Sequence, residues 1–462
     1  ALLAPLSSEE LMEDYTYLEK MILEVHPGTY RYADSIEING ALKDLREAFQ
    51  MPLSHGQAFL AINKMIANIQ CAHSFASLND QNKSMQSLLH LGQDKIPFTF
   101  RLIEDKMVIT VLEINGMPVK DILSKMWLYL GTDGNTPASK TSRLEVFGYD
   151  FQYDAFDSLY PLMYPIEKAI KLKILDSNVM FKEISTNYMS RYDRTMQLIS
   201  RYPTIHKTAN DMWKFLVYDE KTAILTINSF SLLGWKRMTM DYKIFLNNSF
   251  HELKQKGIQN LIVDIRLNEG GNDEMLYELL RFFDIDRIRI NDMESRSRYK
   301  KFPELFKPQI KTWGDREPWF YEFSQKLGSD GYYHFPREAR VNRKNKKSED
   351  YFEGNVYLLT SPRNQSLAFY MTKFFKLNGL CIIIGEETGG NLRGINGGQI
   401  VFLTLPNSSI VINFPVMGMF STAEQPNRGI RPDYSISQSL DDTFQEIDTA
   451  LEYTFRLIKE NQ

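Results

Sequence analysis

Apolar positions at the start of the chain recur at helical spacing. Leu11, Tyr15, Leu18, Ile22 and Val25 share one face. Ser7-Ser8-Glu9-Glu10 ahead of them has capping-box form, and His26-Pro27-Gly28 stops the helix. A second helix carries Phe59, Ile62, Ile66 and Ile69 on its apolar side and leads into Gln70-Cys71-Ala72-His73-Ser74-Phe75. His73 therefore sits just behind a helix and ahead of a short alternating run. From about residue 91 to 215 the periods mix. Residues 96–102 and 107–112 read as strands, followed by Glu113-Ile114-Asn115-Gly116-Met117-Pro118-Val119, and then aromatic and charged residues alternate without a clean period.

From about residue 216 the pattern sharpens. Residues 222–227 read as a strand and 240–256 as a helix. Residues 261–265 form an apolar strand that runs into Arg266-Leu267-Asn268-Glu269-Gly270-Gly271, and a helix with Leu276, Leu279, Leu280 and Phe283 follows. Strand, turn and helix recur around Ser366 and again from residue 380 to 384. Repeated units of this kind argue for an α/β fold with a parallel sheet covered by helices. The stretch from about 284 to 350 is polar and aromatic-rich and reads as an insertion. The domain reading is an N-terminal helical domain over 1–90, a β-rich middle region over 91–215 and an α/β core over 216–462.

Composition narrows the classes. Hydrophobic residues are 43% and charged residues 24% of 462, as in ordinary globular chains. A net charge of −4 gives no reason to expect nucleic acid as a partner. No apolar run is long enough to span a bilayer. The two cysteines, Cys71 and Cys381, are too few for a disulfide scaffold, although a single bridge between them stays open. The seven histidines include no H-E-x-x-H or H-x-H, so neither a metal nor another cofactor is expected. The first residue is Ala1 rather than Met, which fits removal of a leader and export to the periplasm or cell envelope.

Candidate chemistry centres on Asn355-Val356-Tyr357-Leu358-Leu359-Thr360-Ser361-Pro362-Arg363-Asn364-Gln365-Ser366. It reads as a buried strand, a turn, and a serine at the head of an amphipathic helix with Ala368, Met371, Phe374 and Phe375 at helical spacing. On this segment alone Ser366 is either an N-cap or a hydroxyl placed where free N–H groups and the helix dipole hold an oxyanion. The Gly270-Gly271 pair is either a tight turn or a backbone surface open to a ligand. It lacks the spacing of either phosphate-binding glycine motif. Glu386-Glu387-Thr388-Gly389-Gly390 is a second glycine loop behind a strand. Residues 400–405 and 410–414 form a hairpin around Pro406-Asn407-Ser408-Ser409.

In order and wording these segments resemble the C-terminal-processing and tricorn-type serine peptidases, and among them the envelope members of Bacteroidetes-like bacteria. The family's D-x-R-x-N-x-G-G is matched by Asp264 to Gly271 and its T-S-x-x-x-x-S by Thr360 to Ser366. G-E-x-T-G-G is matched by Gly385 to Gly390, the L-P-N-S hairpin by Leu405 to Ser408, and G-I-x-P-D by Gly429 to Asp433. The resemblance implies a Clp protease/crotonase-like β-α core and a serine peptidase acting on peptides or unfolded proteins. Ser366 would be the nucleophile, with Gly270 or Gly271 and the Leu367 amide as the oxyanion hole. The processing branch takes its base from a lysine in the turn after G-E-x-T, and here that turn reads Gly389-Gly390-Asn391-Leu392-Arg393. The tricorn branch uses a histidine and a glutamate, for which His73 and Glu424 stand at the comparable positions. A serine needs an adjacent base, and a carboxylate behind an imidazole fixes its tautomer.

Some residues depart from the family pattern. Ala72 stands where the tricorn pattern has serine, Leu367-Ala368-Phe369 follows the nucleophile where small residues are usual, and Glu269 replaces a glycine. They motivate a rival reading, a peptide-binding relative without turnover; an acyl-CoA enzyme on the same core is a third. The segment around Asn115-Gly116 resembles a turn of PDZ modules, which capture peptide ends by strand addition. With His73 and Ser366 in different parts of the chain, the site is expected between domains. Association into a homo-oligomer is left open.

Overall fold

The architecture comes from a computed structural model, which describes residues 4–89, 94–103, 106–107, 110–146, 154–175, 180–201, 212–231, 241–289, 293–312, 326–335 and 342–461. The chain groups into two compact units. The first takes residues 1–206, 294–336 and 394–421; the second takes 207–293, 337–393 and 422–462.

In the first unit, capping boxes start each of the leading helices. Ser7 with Glu10 caps Ser8–Lys20, Asp34 with Glu37 caps Ser35–Ala48, and Ser54 with Gln57 caps His55–Ala67. The middle one was not anticipated, although Ile38, Leu42 and Leu45 give it a buried stripe. Beside these helices lies a long antiparallel hairpin, Gly394–Thr404 with Val411–Ser421. Leu11, Leu18, Ile62 and Ile66 from the helices share one core with Val401, Leu403, Ile412 and Phe414 from the hairpin. The hairpin's register shifts between Ile395 and Gly398, a bulge that lifts Asn396 and Gly397 out of the ladder.

The middle region of this unit is a separate antiparallel sheet with its own core around Ile114, Ile122, Phe156 and Ile170. The expected strand over 96–102 does not form: Lys95 and Phe100 make isolated bridges to Met189 and Val146, and only Leu102–Ile103 is regular. Asn115 and Gly116 both have positive φ, the turn type that joins Thr110–Ile114 to Met117–Pro118. The stretch read as an insertion also adds strands: Ile310–Thr312 pairs with the long hairpin.

The second unit holds a six-stranded sheet. In order across the sheet its strands are Tyr434–Ser435, Ile382–Gly385, Asn355–Thr360, Asn260–Asp264, Thr222–Ile227 and Trp213–Val217. All neighbours are parallel except the last pair. Leu261, Ile262, Val263, Leu358 and Leu359 are fully buried, as central parallel strands require. Thr449–Glu460 covers the sheet with Phe455, Leu457 and Ile458. Between strands run the helices Tyr242–Gln255, Asp273–Leu280 and Ser366–Leu377, linked by Phe250 stacked on Phe282 and Phe283 edge-on to Phe375. This is the α/β, Clp protease/crotonase-like core expected.

Candidate active site

Register sets the serine's surroundings. Leu359 is level with Asp264 on adjacent parallel strands, so the loops after those strands emerge side by side at their C-terminal ends. That edge is where open α/β sheets place ligands. Asn364 fastens the two loops, its Nδ2 donating to the Ile265 carbonyl at 2.6 Å and the Asn268 carbonyl at 3.0 Å. The Ser361 hydroxyl donates to the Arg266 carbonyl, and Arg363 pairs with Glu269 at 2.6 Å. Arg266 is itself held by Asp264 and Asp448, each at 2.7 Å. Behind the turn, the Gly389 and Gly390 amides donate to the Asn364 carbonyl at 3.0 and 3.1 Å.

Ser366 opens the helix Ser366–Leu377 with φ +50°, in the left-handed region that a serine rarely enters. Such backbones persist only where their surroundings enforce them. The cap position is Gln365, with no side-chain cap bond, so Ser366 is not an N-cap. Gly270, at φ +109°, lies directly against it. A Cβ on Gly270 would stand 2.7 Å from the Ser366 Cβ and 2.8 Å from the Leu367 nitrogen. The Gly270 amide is already committed, donating to Asn268 Oδ1 at 2.8 Å. Among the described residues of this unit, the Gly271 and Leu367 amides make no hydrogen bond. Gly271 lacks a side chain for another reason: a Cβ there would meet the Phe230 carbonyl carbon at 2.3 Å.

The unusual residues after the serine are absorbed by the core. Phe369 is fully buried and packs on Gly390, where a Cβ would fall 2.4 Å from its ring. The G-E-x-T-G-G and G-I-x-P-D motifs hold each other: the Gly429 amide donates to Glu387 at 2.8 Å, Ile430 to the Thr388 hydroxyl at 2.9 Å, and Ile383 to Asp433 at 2.9 Å. Glu424 is exposed on the loop they anchor, beside Gln425, whose carbonyl accepts from Arg393 at 3.1 Å.

His73 belongs to the first unit. It follows Gln70, at φ +55°, in a turn after the helix His55–Ala67. Phe75 then bridges to Asn413 of the hairpin. The imidazole lies over the bulge: a Cβ on Gly397 would sit 3.1 Å from its Cε1 and 3.2 Å from its Nε2. Its Nδ1 is buried without a hydrogen-bond partner among the described residues. Burial, and then the Arg143 guanidinium, hold the ring's pKa down to about 4. Ser74 is taken by another ring, lying 3.0 Å from His26 Nε2.

Asp133, which no sequence motif marks, lies against the same turn. The Ala72 amide donates to its Oδ1 at 3.1 Å, and burial pushes its carboxyl up to about 7. Gly131-Thr132-Asp133-Gly134 reads only as a turn, and nothing local marks its approach to residues 71–73. Both cysteines are thiols, Cys71 buried in the first unit and Cys381 in the second. Among the described residues, no helix is long and apolar enough to cross a membrane.

A strained serine at a strand-to-helix turn, beside free backbone amides at the edge of a parallel sheet, defines an α/β serine hydrolase. Residues 221–436 match the model of Peptidase family S41. Those residues carry the turns around Ser366, and the chain is a serine peptidase. Among solved structures it is similar to mature CPAF complexed with lactacystin, at a TM-score of 0.64 and 13% identity over 97% of both chains. Mature CPAF alone gives 0.63 at 14% identity over 94% of both. A photosystem II D1 C-terminal processing protease gives 0.43 at 13% identity over 93% of both. No curated protein sequence matches the chain.

Proposed function

We propose that the chain cleaves extended polypeptides through an acyl-enzyme on Ser366. The Ser366 hydroxyl attacks the scissile carbonyl carbon and passes its proton to His73. The carbonyl oxygen becomes an oxyanion held by the Gly271 and Leu367 amides. His73 returns the proton to the leaving amine as the C–N bond breaks. Water, deprotonated by the same ring, then releases the acid. Glu424 would orient the imidazolium.

The observation that carries this reading is the backbone of Ser366, held at positive φ with Gly270 packed on its Cβ. Export to the periplasm or cell envelope belongs to the reading through the family resemblance, and fractionation of the producing cell tests it. Unfolded proteins as substrates, and assembly into a homo-oligomer, are parts tested by cleavage of denatured against native proteins and by light scattering.

A fluorophosphonate probe tests the chemistry. Labelling of the wild type, and its loss in Ser366→Ala and His73→Ala, is expected. The rival is a peptide-binding relative without turnover, favoured by Ala72 at the serine position of the tricorn pattern. Absence of labelling between about pH 6 and 9, the range over which an imidazole of pKa near 4 is neutral, would give the rival the case.

A further inference from the structure

Cys71, His73 and Asp133 converge in the first unit: the Sγ, one ring nitrogen and one carboxylate oxygen lie within 4.8 Å of one another. We propose that these residues form a site for a divalent transition-metal ion, with Zn²⁺ the best match, and that filling it withdraws His73 from catalysis. The binding stands on this cluster alone; its effect on turnover rests on the role of His73 given above.

The donor set decides the metal. A thiolate and an imidazole select zinc-like ions, whereas calcium and magnesium take oxygen ligands. Zinc sits about 2.3 Å from sulfur and about 2.0–2.2 Å from nitrogen and oxygen, so binding draws these atoms closer, with solvent as a fourth ligand.

The backbone favours that convergence. Gln70 at φ +55° turns the chain so that Cys71 and His73 bracket Ala72, and the Ala72 amide fixes Asp133 beside them. The Cys71 thiol is held from behind, 3.8 Å from the Asn396 carbonyl on the hairpin bulge. The buried His73 Nδ1 without a partner is an independent sign that the ring is not committed within its own unit. The Arg31 and Arg143 guanidiniums act on Asp133 and oppose a bare cation. A thiolate and a carboxylate together cancel the charge of a dication, and that combination is what the cluster offers.

Cobalt titration of the full chain, stripped of metal with a chelator, tests the site. A thiolate-to-Co²⁺ charge-transfer band should grow to one equivalent, be displaced by Zn²⁺ and be unmoved by Mg²⁺ or Ca²⁺. Cys71→Ser should lose the band, and Asp133→Asn should weaken binding roughly tenfold or more. Circular dichroism checks each variant; should Cys71→Ser fail to fold, loss of tight binding in Asp133→Asn carries the same weight. Absence of the band in the wild type, or its persistence in a folded Cys71→Ser protein, overturns the site. Zn²⁺ should inhibit wild-type peptide cleavage and spare Cys71→Ser. A band without inhibition keeps the site and removes His73 from the reaction.

Discussion

Gly270 and Ser366 are in contact across two strands of the sheet, at a distance no side chain on Gly270 would permit. A Cβ there would stand 2.7 Å from the Ser366 Cβ, at a φ of +109° that disfavours any other residue. Gly270→Ala should therefore push Ser366 and the Leu367 amide out of place. Loss of one oxyanion donor costs about 10²–10³ in kcat, and the variant should lose at least that much. It should also be less stable than wild type by more than about 1 kcal/mol, since alanine does not fit the glycine backbone. Steady-state kinetics and thermal melts read both; a variant within threefold of wild-type kcat would contradict this account.

The strain at Ser366 can be separated from its chemistry. Serine and alanine both strain at φ +50°, and glycine does not. Ser366→Ala and Ser366→Gly should both be inactive, but only the glycine variant should be more stable, by about 1–2 kcal/mol over alanine. Denaturant unfolding of the pair measures this difference. Equal stabilities would mean that the positive φ is not enforced by the fold.

How much of this could be read from the chain follows from the range of the forces involved. The parallel sheet was legible because 261–265 and 356–359 are apolar runs that only a sheet covered on both faces can bury. The motifs around Gly270, Ser366 and Gly390 were legible because close packing forces glycine at fixed offsets. The helix Ser35–Ala48 has its capping box and its stripe of Ile38, Leu42 and Leu45 in the sequence, between stronger patterns on either side. The middle region resisted because two-residue strands such as Leu102–Ile103 are too short to show a period. Asp133 and the commitment of the Gly270 amide to Asn268 depend on side-chain placement, which no local pattern carries.

Glu269 fills a position where the family commonly has glycine, and the structure gives it a partner in Arg363. The pair joins the glycine loop to the turn that carries Ser366. Glu269 is half exposed, so the pair contributes at most about 1 kcal/mol to stability. Its effect on kcat should be larger than its effect on folding, because it acts on the spacing of the reacting groups. Glu269→Gln and Arg363→Gln should each lower kcat several-fold with KM nearly unchanged. The double variant should be no worse than either single one, which a double-mutant cycle reads directly. Additive losses would show that the two residues act separately.

With His73 as the base of the proposed reaction, its depressed basicity sets where activity should fail in acid. Its pKa near 4 leaves the ring neutral, and able to accept a proton, well below the usual histidine range. In the free enzyme kcat/KM should stay level down to about pH 5 and fall through about pH 4, rather than near 6.5. Arg143 is the second cause of the depression, after burial. Arg143→Gln should move the acid limb upward, while Arg143→Lys, which keeps the charge, should leave it nearly in place. A limb unmoved by Arg143→Gln would assign the whole depression to burial.

Stability should respond to pH through three desolvated groups of opposite sign. His26 and His73 have folded pKa values near 3 and 4, below the ordinary 6.5, so the unfolded chain binds their protons first. Their contribution is complete above pH 6.5 and is lost as pH falls towards those values. Asp133 does the reverse. Its folded pKa near 7 stands above the ordinary 3.8, so the native protein holds a proton that the unfolded chain releases. Stability from this group is present below about pH 4 and is lost as pH rises through 7. Asp133→Asn removes that loss. The difference in Tm between the variant and wild type should therefore climb in the variant's favour from pH 4 to 7 and then level off. With each pKa unit worth about 1.4 kcal/mol, the full change is on the order of a few kcal/mol. Calorimetry across this range, in the presence of a chelator so that no metal occupies the cluster, gives the curve. A flat difference would mean that Asp133 is ionised throughout, held by Arg31 and Arg143 more strongly than its burial opposes.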